Sequence, residues 1–344
     1  MFIKSLELKN YRNYDELSMD FSSGTNLLYG DNAQGKTNIL ESIYLAATTK
    51  SHRGSKDREM IQFHADEAHI RLQYQKQGII HQLDMHLKKN RAKGAAIDRI
   101  PIRRSSDLLG QIPVIFFSPE DLKIIKNGPS ERRKFMDLEL SQLESLYLYY
   151  LSKYNKILMQ RNNLLKQIRF QENLIDTLEA WDIQLVKYGS EIIRYRQEFI
   201  RHLNPIICSI HRRLTGQQEE MKIEYENSAA YDTFLTELTK KRKVDLKYAT
   251  TNIGPHRDDI KFLVNDIDIR RFGSQGQQRT AALSLKLAQI QLVKEVLKDS
   301  PILLLDDVLS ELDSHRKVYL LEGIKDIQTF ITCTGLDEFI DQDL

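Results

Sequence analysis

Cysteine is almost missing from this chain: Cys208 and Cys333 are the two in 344 residues, and they lie far apart. Without closely spaced cysteines, neither a disulfide framework nor a zinc site is indicated. No apolar run approaches the length that spans a bilayer. Residues 1–7 carry charge within four positions and have no apolar signal core, so the expected compartment is the reducing cytosol, with no membrane partner. Charge of one sign is also lacking. Fifty Lys and Arg against 48 Asp and Glu leave a net charge of +2, which gives no bulk argument for nucleic acid. Internal repeats and low-complexity linkers are absent as well. What remains, 28% charged and 41% apolar, describes a soluble globular chain with room for one large or two modest domains.

Against this plain background one string stands out. Residues 30–37 read Gly30-Asp31-Asn32-Ala33-Gln34-Gly35-Lys36-Thr37, the GxxxxGK[ST] pattern that cradles nucleotide phosphates. Residues 25–29 predict a short strand before it, and Ile39, Leu40, Ile43, Tyr44 and Leu45 have helical spacing after it. The two glycines let the backbone curl and aim its N–H groups at phosphate oxygens, and the helix adds its positive end. Lys36 is expected to reach the β- and γ-phosphates, and the Thr37 hydroxyl to bind Mg²⁺. A chance glycine turn before an ordinary helix is the bland alternative.

Residues 301–307, Pro-Ile-Leu-Leu-Leu-Asp-Asp, form an apolar run without alternation that ends in two carboxylates. Such a run suits a central parallel strand covered on both faces, and α/β sheets bind ligands at the carboxyl ends of their strands. Asp306 is the candidate Mg²⁺ carboxylate beside Thr37, and Asp307 the candidate base or positioner for attacking water. Between the two motifs, Ser274, Gly276 and Gln277 sit in a glycine-rich loop before a helical stretch over 280–297. That is a second helix start able to hold an anion. One nucleotide rarely needs two, so the economical reading gives this one to another subunit; an ordinary N-cap is the alternative.

The order of these strings resembles an ATP-binding-cassette head: Walker A at 30–37, signature at 273–278, Walker B at 302–307, D-loop at 308–313 and switch at Thr332. Threonine at the switch resembles the SMC-type branch of DNA-maintenance ATPases. So does the opening stretch from Ile3 to Tyr14, with its Lys9-Asn10-Tyr11-Arg12-Asn13-Tyr14 turn. The strings 116–122 (FFSPEDL), 128–137 (GPSERRKFMD) and 254–259 (GPHRDD) are similar to those of the RecF family of recombination-mediator ATPases. No glutamine stands in 116–122 where a Q-loop would sit, and Glu120 or Asp121 are the nearest substitutes. The family's head continues past the switch strand with a further strand, expected here to be short or absent after Thr334.

The resemblance implies an α/β head with a P-loop parallel or mixed sheet, flanking helices and an inserted helical arm. It implies ATP and Mg²⁺ as cofactors and adds Arg12 to the nucleotide contacts. It also implies an ATP-dependent homodimer on single-stranded, gapped and junction DNA, RecR and RecO as partners, and RecA loading as the outcome. The expected division is 1–125 for the first ATPase lobe, 126–215 for the arm and 216–344 for the completed lobe. Asp307, one methylene shorter than glutamate, implies slow hydrolysis. A transporter-type subunit and a dimeriser without turnover are the rival readings.

Within the arm, apolar residues recur at three- and four-residue steps from 143 to 203. The spacing predicts two helices of about 35 residues, each about 50 Å long, opened by Pro129 and interrupted near Pro205, with Trp181 in the core. Residues 69–74 and 79–87 predict antiparallel strands split near Gly78. Four cation-rich stretches, 88–93, 99–104, 132–134 and 240–243, are candidates for phosphate neutralisation without a base code, or plain solvated turns.

Overall fold

Alternating apolar residues build the first strand. β1 (Phe2–Tyr11) buries Ile3, Leu6, Leu8 and Tyr11, and a register irregularity between Ile3 and Ser5 absorbs the odd step. β2 (Tyr14–Asp20) and β3 (Thr25–Tyr29) follow, then α1 (Lys36–Thr48), α2 (Asp57–Met60), β4 (Glu67–Lys76) and β5 (Ile79–Lys88). β6 (Gly94–Ile97), β7 (Ile100–Pro101) and β8 (Val114–Phe117) complete this stretch. The β4–β5 hairpin is antiparallel as expected, and Gln77 and Gly78 both take positive φ at its tip, the two-residue turn that matches strand twist.

The helical stretch comes next: α3 (Leu122–Lys126), α4 (Pro129–Leu143), α5 (Ser145–Ile168) and α6 (Leu178–Leu214). β9 (Met221–Glu226), α7 (Phe234–Tyr248), β10 (Asp259–Val264), β11 (Ile267–Asp268), α8 (Ile269–Phe272) and α9 (Gln275–Leu297) follow. The chain ends its regular structure with β12 (Ile302–Asp306), α10 (Ser314–Gly323) and β13 (Thr329–Cys333). This computed structural model describes residues 1–335. The expected closing strand after Thr334 therefore lies largely outside the described residues.

Two units emerge: residues 1–121 with the chain from Lys286 onward, and Leu122–Leu285. In the first unit, an antiparallel sheet runs β2-β1-β4-β5-β6-β7 and an all-parallel sheet runs β3-β13-β12-β8. α1 touches strands of both sheets, which is why every residue from Ile39 to Thr48 is buried. Gln328 ties the sheets together: its amide accepts from the Ile3 N–H at 2.6 Å and donates to the Ile3 carbonyl at 2.7 Å. β12 is an inner strand of the parallel sheet, and its Ile302–Leu305 run is buried throughout, as its sequence predicts.

The second unit holds the three-stranded sheet β11-β10-β9 and the long helices. Here the predicted pair of equal helices is corrected. Glu144 is extended (φ −134°, ψ 102°), so the stretch before it is a separate helix; α5 has 24 residues and α6 has 37. Pro205 does not interrupt α6, which continues to Leu214. Pro205 and Arg201 are both exposed, so the carbonyl that loses its N–H donor can turn to water. Trp181, half-buried, packs on a cluster of Leu164, Leu165, Ile168, Leu178 and Ala249, a core position as read from its stripe.

Arg161 lies fully buried in this unit, 2.6 Å from Asp182 and 2.8 Å from Asp245, with the Thr251 hydroxyl also at 2.8 Å. Truncating one member leaves buried charge without compensation. Arg161→Ala is expected to destabilise this unit by about 3–5 kcal/mol, read as a lower urea midpoint for the helical signal. An unchanged midpoint would show that the cluster does not hold the helices.

Candidate nucleotide site

The P-loop joins β3 to α1 within the first unit. Gly30, Ala33 and Gly35 take φ of 143°, 66° and 101°, so the loop winds through left-handed conformations that aim backbone N–H groups inward. Gly35 is the N-cap of α1 and supplies no side-chain cap, which leaves first-turn N–H donors for an anion. A Cβ at Gly35 would sit 2.6 Å from Asn13 Nδ2 and from the Tyr14 hydroxyl oxygen. The turn after β1 thus presses on the loop, a contact that sequence spacing alone does not reveal. Gly35→Ala forces φ near 101° on a residue with a Cβ, at about 1–2 kcal/mol. ATP affinity is expected to fall roughly tenfold, measured by equilibrium titration; unchanged affinity would mean that the loop does not need this conformation.

Lys36 folds over its own loop, donating to the Gly30 carbonyl and, at 2.8 Å, to the Asp31 carbonyl. Asp31, Asn32, Ala33 and Gln34 are exposed along the loop. Thr37 lies one helical step on, and its hydroxyl donates to Asp306 Oδ1 at 2.8 Å across 269 residues of sequence. The parallel register that sets Asp306 beside Thr332 brings a second hydroxyl to the same oxygen, at 2.9 Å. The Asp307 N–H donates back to Thr332 Oγ1 at 3.0 Å. Asp307 itself is exposed and held at φ 54°, an uncommon state for a residue with a Cβ. The Ser310 hydroxyl donates to its carbonyl at 2.9 Å. Two hard oxygens, one hydroxyl and one carboxylate, so meet beside an uncapped helix start; this donor set fits Mg²⁺ and a polyphosphate.

Arg12 is half-buried behind α1. Its guanidinium makes two 2.8 Å bonds to Glu41, one to Ser55 Oγ at 2.8 Å and one to the Glu59 carbonyl at 2.9 Å. Glu41 is fully buried; the hydrogen bonds from Arg12 and Ser51 outweigh desolvation and hold its carboxyl below the usual range. Burial drives His52 down to about 4, and its ring stacks on Phe116 at 4.0 Å. No local pattern pointed to Glu41 or His52, whose partners lie 8 to 64 positions away. Asp121, one of the two Q-loop substitutes, is committed to Lys286 at 2.8 Å and to the Ser118 N–H at 2.8 Å, whereas Glu120 is exposed.

The signature loop belongs to the second unit. Ser274 Oγ accepts from the Gln277 N–H at 3.2 Å while Gln277 Oε1 accepts from the Ser274 N–H at 3.0 Å, a reciprocal capping box at the start of α9. The Gln277 amide also donates to Glu219 at 2.8 Å. Ser274 and Gly276 are exposed, and Phe272 beside them is 75% exposed. The same unit accounts for two strings quoted earlier. Arg132 of 128–137 is buried with 2.6 and 2.8 Å bonds to Asp259 of 254–259, and Arg133 donates to the Asp258 carbonyl at 2.7 Å. Arg132 therefore serves the fold, which corrects its reading as a surface phosphate contact. Arg242 is likewise paired with buried Asp182 at 2.7 Å.

Comparison with known proteins fixes the family. A model of the AAA ATPase domain matches residues 1–301. DNA replication and repair protein RecF of Lachnoclostridium phytofermentans is 60% identical over 340 residues, covering 99% of this chain and 94% of that one. The chain belongs to the RecF family. Its Clostridium botulinum member is 44% identical over 343 residues, covering 98% of this chain and 94% of its own length. A solved structure of the recombination mediator protein RecF-ATPrS in the RecFOR pathway superposes with a TM-score of 0.93 at 37% identity, covering 98% of this chain and 93% of that one. An Smc head domain from Pyrococcus furiosus, at a TM-score of 0.55 and 16% identity over 97% of this chain and 90% of that one, shares the fold alone. The RecF-family fold is thus the α/β cassette-type head expected from the motif order, with long helices added to it. No helix among the described residues is long and apolar enough to cross a membrane.

Proposed function

We propose that this chain is an ATP-dependent DNA-binding protein of replication and recombinational repair. The observation that carries this reading is the Thr37–Asp306–Thr332–Asp307 chain of hydrogen bonds at the mouth of a P-loop. Lys36 leaves the carbonyls of Gly30 and Asp31 to neutralise the β- and γ-phosphates. Thr37 and Asp306 hold Mg²⁺, which supplies charge neutralisation at the phosphates. Asp307, aimed by its backbone bond to Thr332, positions or deprotonates the attacking water, and its short side chain makes turnover slow. Arg12 orients the β1 turn against the loop through Glu41.

Ser274, Gly276 and Gln277 cap the nucleotide held by a second copy, giving an ATP-dependent homodimer that hydrolyses ATP slowly and faster on DNA. Support comes from the exposure of this loop and from the chain's close kinship with proteins described as RecF. The same kinship supports action at single-strand gaps and junctions with RecR and RecO, RecA loading, replication recovery and SOS induction, in the cytoplasm. Exposed Arg91, Arg99, Arg103 and Arg104 in the first unit, and Lys241 and Lys243 in the second, are the proposed phosphate contacts. The 1–125, 126–215 and 216–344 division is retained as a functional one.

The two carboxylates divide the work, and substitution separates them. Asp307→Asn keeps ATP binding and the dimer but lowers hydrolysis about 100-fold or more, leaving a persistent ATP-bound dimer. Asp306→Asn weakens Mg²⁺-ATP binding itself. Nucleotide titration and single-turnover hydrolysis on both variants check this, and identical binding behaviour would show that the assignment is wrong.

A further inference from the structure

We propose that Glu67, His69 and His86 form a binding site for a zinc-class divalent cation on the outer face of the six-stranded sheet, apart from the nucleotide site. Strand register creates it. β4 and β5 pair antiparallel with His69 directly opposite His86, and Glu67 lies two residues before His69 on the same face. The imidazole centroids are 3.8 Å apart with planes inclined by 28°. Both rings turn Nε2 toward one carboxylate: His86 Nε2 lies 2.9 Å from one Glu67 oxygen and His69 Nε2 lies 3.8 Å from the other.

His86 Nε2 is buried, and its 2.9 Å ion-pair contact with Glu67 is not joined by any hydrogen bond. One donor atom from each residue falls within 4.8 Å of the others. Ligands around a four-coordinate zinc sit roughly 3.3–3.5 Å apart, given bonds near 2.0–2.2 Å. Side-chain rotations of about 1 Å close that gap without moving a strand. Two imidazoles and one carboxylate suit a borderline cation such as Zn²⁺ better than Mg²⁺ or Ca²⁺.

Neutral imidazole is the form that ligates a cation. Lys88 competes for Glu67 at 3.6 Å, but its side chain is 36% exposed and can turn to solvent. His69 and His86 line a cavity of about 820 Å³, whose wall also includes Glu7, Arg71, Asp84 and the small residues Gly94 and Ala96 of β6. Three protein ligands with a fourth position toward open space describe a site that takes water or an external ligand, rather than a closed structural one.

The test is calorimetric titration of the full-length chain with ZnCl₂, in excess Mg²⁺ to occupy the nucleotide site and in a Cys208→Ser background to remove the partly exposed thiol. One saturable site per chain is expected, and Co²⁺ in its place should give the visible absorption of a four-coordinate ion. His69→Ala, His86→Ala and Glu67→Gln should each weaken Zn²⁺ by about tenfold or more, and the zinc-induced rise in melting temperature should vanish. Glu67→Gln keeps the shape of the site, so its loss of affinity is not a folding defect. Absence of a saturable site in the wild-type chain overturns the proposal. So does unchanged Zn²⁺ affinity in His69→Ala/His86→Ala.

Discussion

Lys36→Met is expected to lose ATP binding by about 100-fold or more, and the ATP-dependent dimer with it. The lysine is the one cation of the P-loop motif, and it already reaches back over the loop to the Gly30 and Asp31 carbonyls. Methionine keeps the stem and removes the charge, so packing of α1 should survive while phosphate neutralisation does not. Because the side chain points to solvent and loop carbonyls rather than to the core, the variant should melt near the wild-type temperature. Titration with a fluorescent ATP analogue reads the affinity, and the melt guards against unfolding. Wild-type affinity in a folded Lys36→Met would end the phosphate-loop assignment.

Ser274→Arg should give the opposite split. The loop that carries Ser274 lies in a different unit from the P-loop, with its hydroxyl spent on the Gln277 N–H and its surface exposed. An arginine there removes the cap and adds bulk to an exposed loop, so binding of ATP by the isolated chain should stay within about twofold of wild type. Dimerisation, hydrolysis and ATP-dependent DNA binding should all be lost, because in the proposed dimer each requires the second copy. The contrast with Lys36→Met is the useful part: one variant fails before ATP binds, the other after.

How much of this could be read from the sequence follows from the range of each interaction. The P-loop, the β12 carboxylates and the signature helix are written in consecutive residues with their own turn chemistry, so β3, α1 and β12 stand where spacing predicts them, while α9 begins at Gln275, ahead of the predicted 280, and takes Gly276 and Gln277 into its first turn. Thr332 was legible as a position, but its hydrogen bonds to both aspartates depend on the parallel register of β12 and β13. Glu41, His52 and the Asn13–Tyr14 contact with Gly35 depend on how α1 lies between two sheets, and no local pattern announces that. Charge runs misled in a physical way. Arg132 and Arg242 look like members of surface patches, yet each finds a carboxylate contributed by a distant element. Proline spacing misled too, since Pro205 costs α6 a single solvent-facing hydrogen bond rather than its continuity.

The proposed dimer joins the P-loop of one copy to the Ser274 loop of a second copy. Sedimentation velocity on an equimolar mixture of Ser274→Arg and Lys36→Ala, with ATP and Mg²⁺, tests that joining most directly. The mixture holds one intact P-loop and one intact Ser274 on different chains. It should form heterodimers that each variant alone cannot form, with hydrolysis no higher than one composite site allows. ATP-driven dimers of Ser274→Arg alone, as abundant as those of the wild type, would contradict it and leave the loop as an ordinary helix cap.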